Sequence, residues 1–472
     1  MRKPLSKSLM TRKEVYPLLK AMSKEIKKNS SDKAKPKTKG WVSKTGFIES
    51  VIVDSIPEFI GKDIALQKMF RKKRIWASEG EVRPRERIEC GYMPYEYTSN
   101  EIQSLFDKKI TREEIIEDVL SQVKMYIDLP PRDQILIAGN IILSYSLEWI
   151  NTVHFPFFVG ETESGKSAVM QLGRWLAYRC VVSEDWPYAD IYNFLGTDEE
   201  GAGTIIEDEA QEMGKDRKKI RLYKGSYQKG SKKPIVIMTD KGRNQVFFNT
   251  FCCKWFGGET VPQDKGFRER LVIVYMKAGK PQAFIKDAGL DNENGKALNQ
   301  IRSKILVWKI QNAEKGFPIV DSGLEGRDRE LWESFQSLFS GTKYEADAKE
   351  TVQHYLEQRK DTIRDSLEGR IFSILRPELE RHLEIDLSRI WEMITTSDEL
   401  PGQIDTRTRK TYYCDEYDRK ITLNILADIL QFKFHAKRRR RLEMQNGKRK
   451  QTTSYVFEEK SVEFLSRKYR ID

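Results

Sequence analysis

Apolar residues are spaced differently in successive parts of this 472-residue chain. Val15, Leu18, Leu19, Met22 and Ile26 recur at helical spacing and predict a short amphipathic helix over 13–28. The following Lys27–Lys39 is low in complexity and, with Ala34 as its one apolar residue, has no means of building a core. From Trp41 to about residue 105, short β-type runs such as Phe47–Val53 are broken by Pro and Gly, which predicts a small α+β domain. Residues 110–150 carry a helical period and lead into the apolar run Phe155–Val159. Over 155–277 strands alternate with helices, the pattern of an α/β layer. From 297 to about 396 the pattern is helical, with Ala297–Gln311, Arg329–Phe339 and a long stretch from Tyr344. No internal repeat is visible.

The chain is therefore divided into a basic tail (1–40), a small α+β domain (41–105), an α/β domain with preceding helices (106–290), a helical region (291–396) and a C-terminal module (397–472). Hydrophobic residues make up 39% of it, enough to support packed cores. No apolar run approaches the ~20 residues that cross a bilayer, so no membrane partner is expected. The basic start lacks an apolar segment and a small-residue cleavage site, so no secretory leader is expected. Five cysteines (90, 180, 252, 253, 414) and four histidines (154, 354, 382, 435) show no metal-ligand or disulfide spacing. Thiols used in this way suit a reducing cytoplasm.

The net charge of +12 becomes informative once it is located. Residues 1–40 carry a net +10 and residues 437–450 a net +7, which leaves the remainder near −5. Basic ends of this kind suit a polyanion such as DNA. For 1–40 a solubilising tail fits equally well.

Chemistry concentrates after Val159. Gly160-Glu161-Thr162-Glu163-Ser164-Gly165-Lys166-Ser167 satisfies G-x-x-x-x-G-K-[ST] in full, after an apolar strand and before a helical run. The glycines let backbone N–H groups wrap phosphates, and the helix N-terminus favours their charge. Lys166 is expected on the β- and γ-phosphates of ATP, and the Ser167 hydroxyl on Mg²⁺. About forty residues on, Gly203-Thr-Ile-Ile-Glu-Asp-Glu-Ala210 places carboxylates at the end of a second apolar strand. Asp208 is expected to complete the Mg²⁺ site and Glu209 to polarise the attacking water, with Glu207 leaving a one-position ambiguity.

Lys233–Asp240 and Gln245–Phe251 flank a short turn and predict a β-hairpin whose tip carries Lys241 and Arg243. Polar residues at a hairpin tip are ordinary, so a DNA-gripping role needs support from context. Phe251–Phe256 predicts a further strand, followed by Glu259 or Thr260 as a sensor of the γ-phosphate. Arg270, before the strand Leu271–Tyr275, is the preferred candidate for an arginine finger, with Arg268 as the alternative.

These segments, with Gly225–Gly230 ahead of the hairpin, resemble the superfamily 3 helicases and related AAA+ ATPases of viruses and plasmids over roughly residues 125–280. The resemblance implies an AAA+-like parallel-sheet domain with a helical lid. It also implies hexamer-like rings, an arginine finger acting in trans, and a hairpin that grips DNA in the ring channel. Some relatives carry a primase domain, but residues 1–150 contain no D-x-D metal pair, so no primase activity is expected. Cys252, Cys253 and Glu259 depart from the family pattern, which often has Asn or another small polar residue near the sensor.

In the C-terminal module, Ile421–Leu430 reads as the first helix of a helix-turn-helix, capped by Thr422. A second helix is expected over His435–Arg441, then a turn at Gln445–Gly447 and the strand Thr452–Phe457. This order resembles a winged helix. Lys437, Arg438, Arg439, Arg440, Arg441, Lys448 and Arg449 are its candidate DNA contacts. A solvated basic helix or a localisation signal is the alternative for the arginine run.

The combined expectation is an ATP-dependent DNA helicase or translocase acting in plasmid or virus replication, with replication proteins as candidate further partners. An ATP-regulated initiator that does not unwind DNA and a DNA-packaging motor are the alternatives. A small-molecule kinase would leave the basic ends without a purpose.

Overall fold

The computed structural model describes residues 37–43, 46–77, 80–196, 202–239, 242–400, 402–404, 411–414, 420–445 and 448–471. The expected helix over 13–28, Lys241 and the Asn446-Gly447 turn lie outside the described residues. The Phe47–Val53 run forms the heart of an antiparallel sheet: β2 (Gly40–Ser43), β3 (Gly46–Val53), β4 (Ile56–Asp63) and β5 (Lys68–Lys72), with β8 (Glu96–Tyr97) parallel beside β3. Asp54 and Ser55 both take positive φ (48° and 67°), the geometry that lets two residues reverse the chain between β3 and β4. A second sheet has the order β1 (Lys37–Thr38), β7 (Gly80–Pro84), β6 (Ile75–Ala77).

This segment does not close a core of its own. Phe47, Val51, Val53 and Ile60 belong to the same apolar cluster as the sheet that follows. A buried ion pair locks the two together. Arg179, 1% exposed, grips the fully buried Glu49 with two parallel 2.7 Å bonds, and Tyr178 donates a third at 2.7 Å. Arg179 also donates to the Lys39 carbonyl at 3.1 Å. A Cβ on Gly40 would meet its guanidinium at 2.3 Å, so the backbone approach requires glycine there.

The alternating region builds β9 (Phe155–Val159), β10 (Cys180–Ser183), β11 (Thr204–Glu207), β14 (Cys253–Gly258) and β15 (Leu271–Tyr275). Their order is β10-β11-β14-β9-β15, and every pairing is parallel. Crossover helices such as Lys166–Leu176 cover the faces, which is why these strands are apolar on both sides. Between β11 and β14 stands the antiparallel hairpin β12 (Lys232–Thr239) and β13 (Gly242–Asn249). Cys252 and Cys253 are buried, and burial pushes both thiols up. Lys254, also buried, donates to the Thr250 and Cys252 carbonyls at 3.2 Å.

The helices of 291–396 are divided between two cores. Glu293–Gln311, Gly326–Phe339 and the first half of Glu345–Arg364 pack in the first cluster. Helices Leu367–Leu379 and Leu387–Thr396 belong to a second cluster, which runs from Leu367 to Tyr469. That second unit also holds β16 (Glu384–Asp386), the short pair β17 (Gln403–Ile404) and β18 (Thr411–Tyr412), and the helix Leu423–Asp428. The helix is capped by Thr422, which accepts from the Ile425 N–H at 3.3 Å, and continues as a π turn over Ile429–Lys433. β19 (Lys437–Gln445), β20 (Lys448–Val456) and the helix Glu459–Tyr469 complete it.

The expected second helix over His435–Arg441 is not formed: the arginine run is strand β19, paired antiparallel with β20 in the sheet β16-β20-β19. The β-rich Thr452–Val456 run supplies a ladder, whereas four consecutive arginines offer no apolar face for a helix to bury. Among the described residues, no helix is long and apolar enough to cross a membrane.

Arg179→Met leaves the Glu49 carboxylate buried without its partner. The expected loss is about 3–5 kcal/mol of stability, read as a lower urea midpoint, and an unchanged midpoint would show that the pair is dispensable.

Candidate active site

The phosphate loop turns out of β9 into the helix Lys166–Leu176. Gly165, at φ 91°, is the helix N-cap, a conformation that a side chain would strain. A Cβ on Gly160 would stand 2.5 Å from the Ser164 hydroxyl and 2.9 Å from the Met276 carbonyl. The Lys166 ammonium curls back into the loop, donating to the Gly160 and Glu161 carbonyls at 2.6 and 2.8 Å. Those carbonyls hold a positive charge at the loop, within reach of an anion seated on the helix N-terminus.

β11 runs parallel to β9 with β14 between them, so the ends of β9 and β11 open on the same edge of the sheet. There the Ser167 hydroxyl donates to Asp208 Oδ2 at 3.4 Å. A hydroxyl and a carboxylate oxygen in that relation suit a hard divalent cation. Glu209, exposed and in left-handed backbone (φ 60°), follows directly. Glu207 stands apart from that edge, turned into the core. It is 2% exposed and bound to Lys219 at 2.6 Å and to the Tyr223 hydroxyl at 3.0 Å. Burial pushes its carboxyl above the ordinary range.

Two features escape a reading of the sequence. Gly257 and Gly258 end β14 without side chains because the site occupies that space. A Cβ on Gly257 would lie 2.7 Å from Asp208 Oδ1, and one on Gly258 would lie 2.6 Å from Gln211 Oε1. Gln211 itself bridges the strand ends: its amide donates to Glu209, and its carbonyl accepts from the Glu259 N–H at 3.3 Å. Glu259 in turn accepts from the Thr162 hydroxyl at 3.4 Å, placing it against the phosphate loop. Thr260 is exposed beside it.

Arg270 precedes β15 at the opposite edge of the sheet, with its carbonyl accepting from the Phe155 N–H. The five residues of β15 separate it from the loop edge, about 16 Å at strand rise. Its guanidinium stacks 4.6 Å from the Tyr227 ring and donates to the Gly266 carbonyl. Burial holds its pKa below the ordinary arginine value. It therefore does not reach the phosphate loop of its own chain, and Arg268, half-buried, stands at the same edge.

The hairpin β12–β13 packs one face on the helix Tyr188–Leu195, with Phe248 5.5 Å from Tyr192 and Lys233 over Tyr188. Arg243, paired with Met238 near the tip, is exposed. On β19 the basic residues alternate. Lys437 pairs with Glu458 at 2.7 Å, while Arg439 and Arg441 share Glu384 at 2.9 and 3.0 Å. Arg438 and Arg440, on the opposite face, are exposed and have no ion-pair partner among the described residues. Lys448 and Arg449 lie on β20.

No protein-family model matches the chain, and no curated protein matches it either. Among solved structures, the apo C-terminal region of NrS-1 is 12% identical and covers 87% of this chain and 97% of its own, at TM-score 0.34. SCCmec type IV Cch, described as an active helicase, is 10% identical over 97% of this chain and 88% of its own, at TM-score 0.36. A full-length MCM homologue from Methanopyrus kandleri is 12% identical over 66% and 74%, at TM-score 0.32. Likenesses this distant decide neither fold nor function.

Gly257→Ala is expected to push Asp208 away from Ser167 and so to weaken divalent-cation-dependent binding of a fluorescent ATP analogue by ~10-fold or more, about 1.4 kcal/mol. Equal affinity with and without the methyl would show that Asp208 does not serve the cation.

Proposed function

We propose that this chain is an ATP-driven DNA translocase of the helicase type, working as a ring of identical subunits. The observation that carries the reading is the meeting of Ser167 and Asp208 at the mouth of a complete phosphate loop, with Glu209 exposed beside them. The residues fit ATP and Mg²⁺: a cationic lysine held at the loop, glycines where backbone must approach phosphates, and a hydroxyl–carboxylate pair for the metal. Bound Mg²⁺ supplies charge neutralisation on the β- and γ-phosphates.

Each residue has a separable task. Lys166 exchanges its carbonyl partners for phosphate oxygens. Ser167 and Asp208 hold the metal. Glu209 takes up the proton of the attacking water, and Gln211 sets where that carboxylate stands. Arg270, remote from the loop of its own chain, suits a neighbour's nucleotide, which makes the ring part of the catalytic unit. Stepwise hydrolysis around the ring would carry the β12–β13 hairpin, with Lys241 and Arg243, along DNA.

The C-terminal unit supports the DNA part of this reading. Its helix, strand and helix, followed after the short β17–β18 pair by a third helix and the paired strands β19–β20, fit a winged helix, with Leu423–Lys433 in the recognition position and β19–β20 as the wing. An initiator that binds ATP and DNA without unwinding would use the same parts, so strand separation is the discriminating measurement.

The test is ATP turnover by the purified chain, alone and with a forked duplex whose separation is followed simultaneously. Lys166→Ala should abolish turnover, and Glu209→Gln should slow it by ~10²–10⁴ with nucleotide binding retained. Turnover surviving Lys166→Ala would end the ATPase reading, and turnover without separation would favour the initiator. For the wing, Arg438→Ala/Arg440→Ala should lower the log–log salt slope of duplex affinity by about 0.9 for each phosphate no longer neutralised. Arg439→Ala/Arg441→Ala should change it far less, and the reverse order would place the DNA on the other face of β19.

A further inference from the structure

The N-terminal sheets have no part in the site above, yet they carry an exposed aromatic set among cations. Trp76 on β6 is 74% exposed, the only exposed tryptophan among those whose side chains are described. The β6–β7 register pairs Trp76 with Glu81 and Ile75 with Val82, so Arg74, Trp76, Glu81 and Arg83 share one face of the hairpin. Arg83 bonds Glu81 at 3.1 Å, and Arg74 approaches it at 3.9 Å. Glu81 thus draws two guanidinium groups to the face that carries Trp76. Both arginines remain more than half exposed. Lys72 and Lys73, on the approach from β5, are exposed and have no carboxylate partner among the described residues.

We propose that this hairpin face, with Lys72 and Lys73, binds single-stranded DNA, Trp76 stacking on a base while the cations hold flanking phosphates. The chemistry selects the occupant. A flat, exposed π-surface beside exposed cations matches unpaired bases on a polyanionic backbone, whereas duplex DNA keeps its base faces stacked inside. A protein partner suited to an indole would not need the excess cations. The site is independent of ATP and lies on different residues from the proposed ATPase, so either reading can fail without the other.

The test uses the full chain carrying Arg243→Ala, Arg438→Ala and Arg440→Ala, which removes the exposed candidate DNA contacts that have no ion-pair partner among the described residues. Affinity for a fluorescent oligothymidylate is measured by anisotropy without nucleotide. Trp76→Ala should weaken binding roughly 5- to 150-fold, while Trp76→Phe, which keeps a stacking ring, stays near the parent. Lys72→Ala/Lys73→Ala should lower the salt slope by about 1.4, or ~0.7 for each single-strand phosphate. Unaltered affinity in Trp76→Ala, with an unaltered melting temperature, would overturn the proposal. So would equal competition by duplex of the same length, or a loss of self-association in place of DNA affinity, which would make this face an interface between copies. If Trp76→Ala fails to fold, the lysine slope and the Trp76→Phe affinity decide.

Discussion

The central strand of the parallel sheet has to end in nothing. β14 is buried along its whole length between β9 and β11, and at its C-terminal end Gly257 and Gly258 leave the volume that Asp208 and Gln211 occupy. Any side chain there would collide with a carboxylate or an amide. The rest of the site is arranged around that gap. β9 brings the loop and Lys166 to one side, β11 brings Asp208 and Glu209 to the other, and Gln211 spans it to the Glu259 backbone. The parallel register makes the arrangement possible, since parallel strands deliver all their C-terminal ends to one edge.

Sequence spacing reveals what depends on neighbours in the chain. The phosphate loop is legible because its glycines, lysine and serine lie within eight residues, and its strand and helix flank it directly. The choice among the three acidic residues is not. Glu207 differs from Asp208 only through Lys219 and Tyr223, which a helix twelve and sixteen residues onward brings against it. Gln211 and the two glycines owe their roles to a strand more than forty residues away. The Glu49–Arg179 pair joins positions 130 residues apart and leaves no local trace. The basic run reads as helix in the sequence, and wrongly, because arginines carry no apolar period. Its two-residue alternation appears only once Glu384 is in place on one face.

That alternation changes what the net charge means. Counted along the chain, 437–450 is a dense block of positive charge, but β19 commits Lys437, Arg439 and Arg441 to its own carboxylates. On β19 what remains for a partner is narrower and has a direction, set by the face that carries Arg438 and Arg440. Burial acts similarly elsewhere. Arg179, Lys219 and Lys254 count as cations in the composition, yet each is enclosed and bonded. Composition therefore overstates the basic surface, and the fold determines which charges a polyanion can meet.

The helix Glu345–Arg364 buries Ala348, Thr351, Val352, Tyr355 and Leu356 in the first core, and after Asp365 and Ser366 the next helix begins the second core at Leu367. Two cores joined by a short connection and the Lys265–Glu368 ion pair at 3.3 Å are expected to melt as two cooperative units. Heating such a chain need not produce a single transition, and a calorimetric enthalpy larger than the van't Hoff value is its thermodynamic signature. One midpoint temperature would then average two quantities, and a substitution confined to one core would shift only one of them.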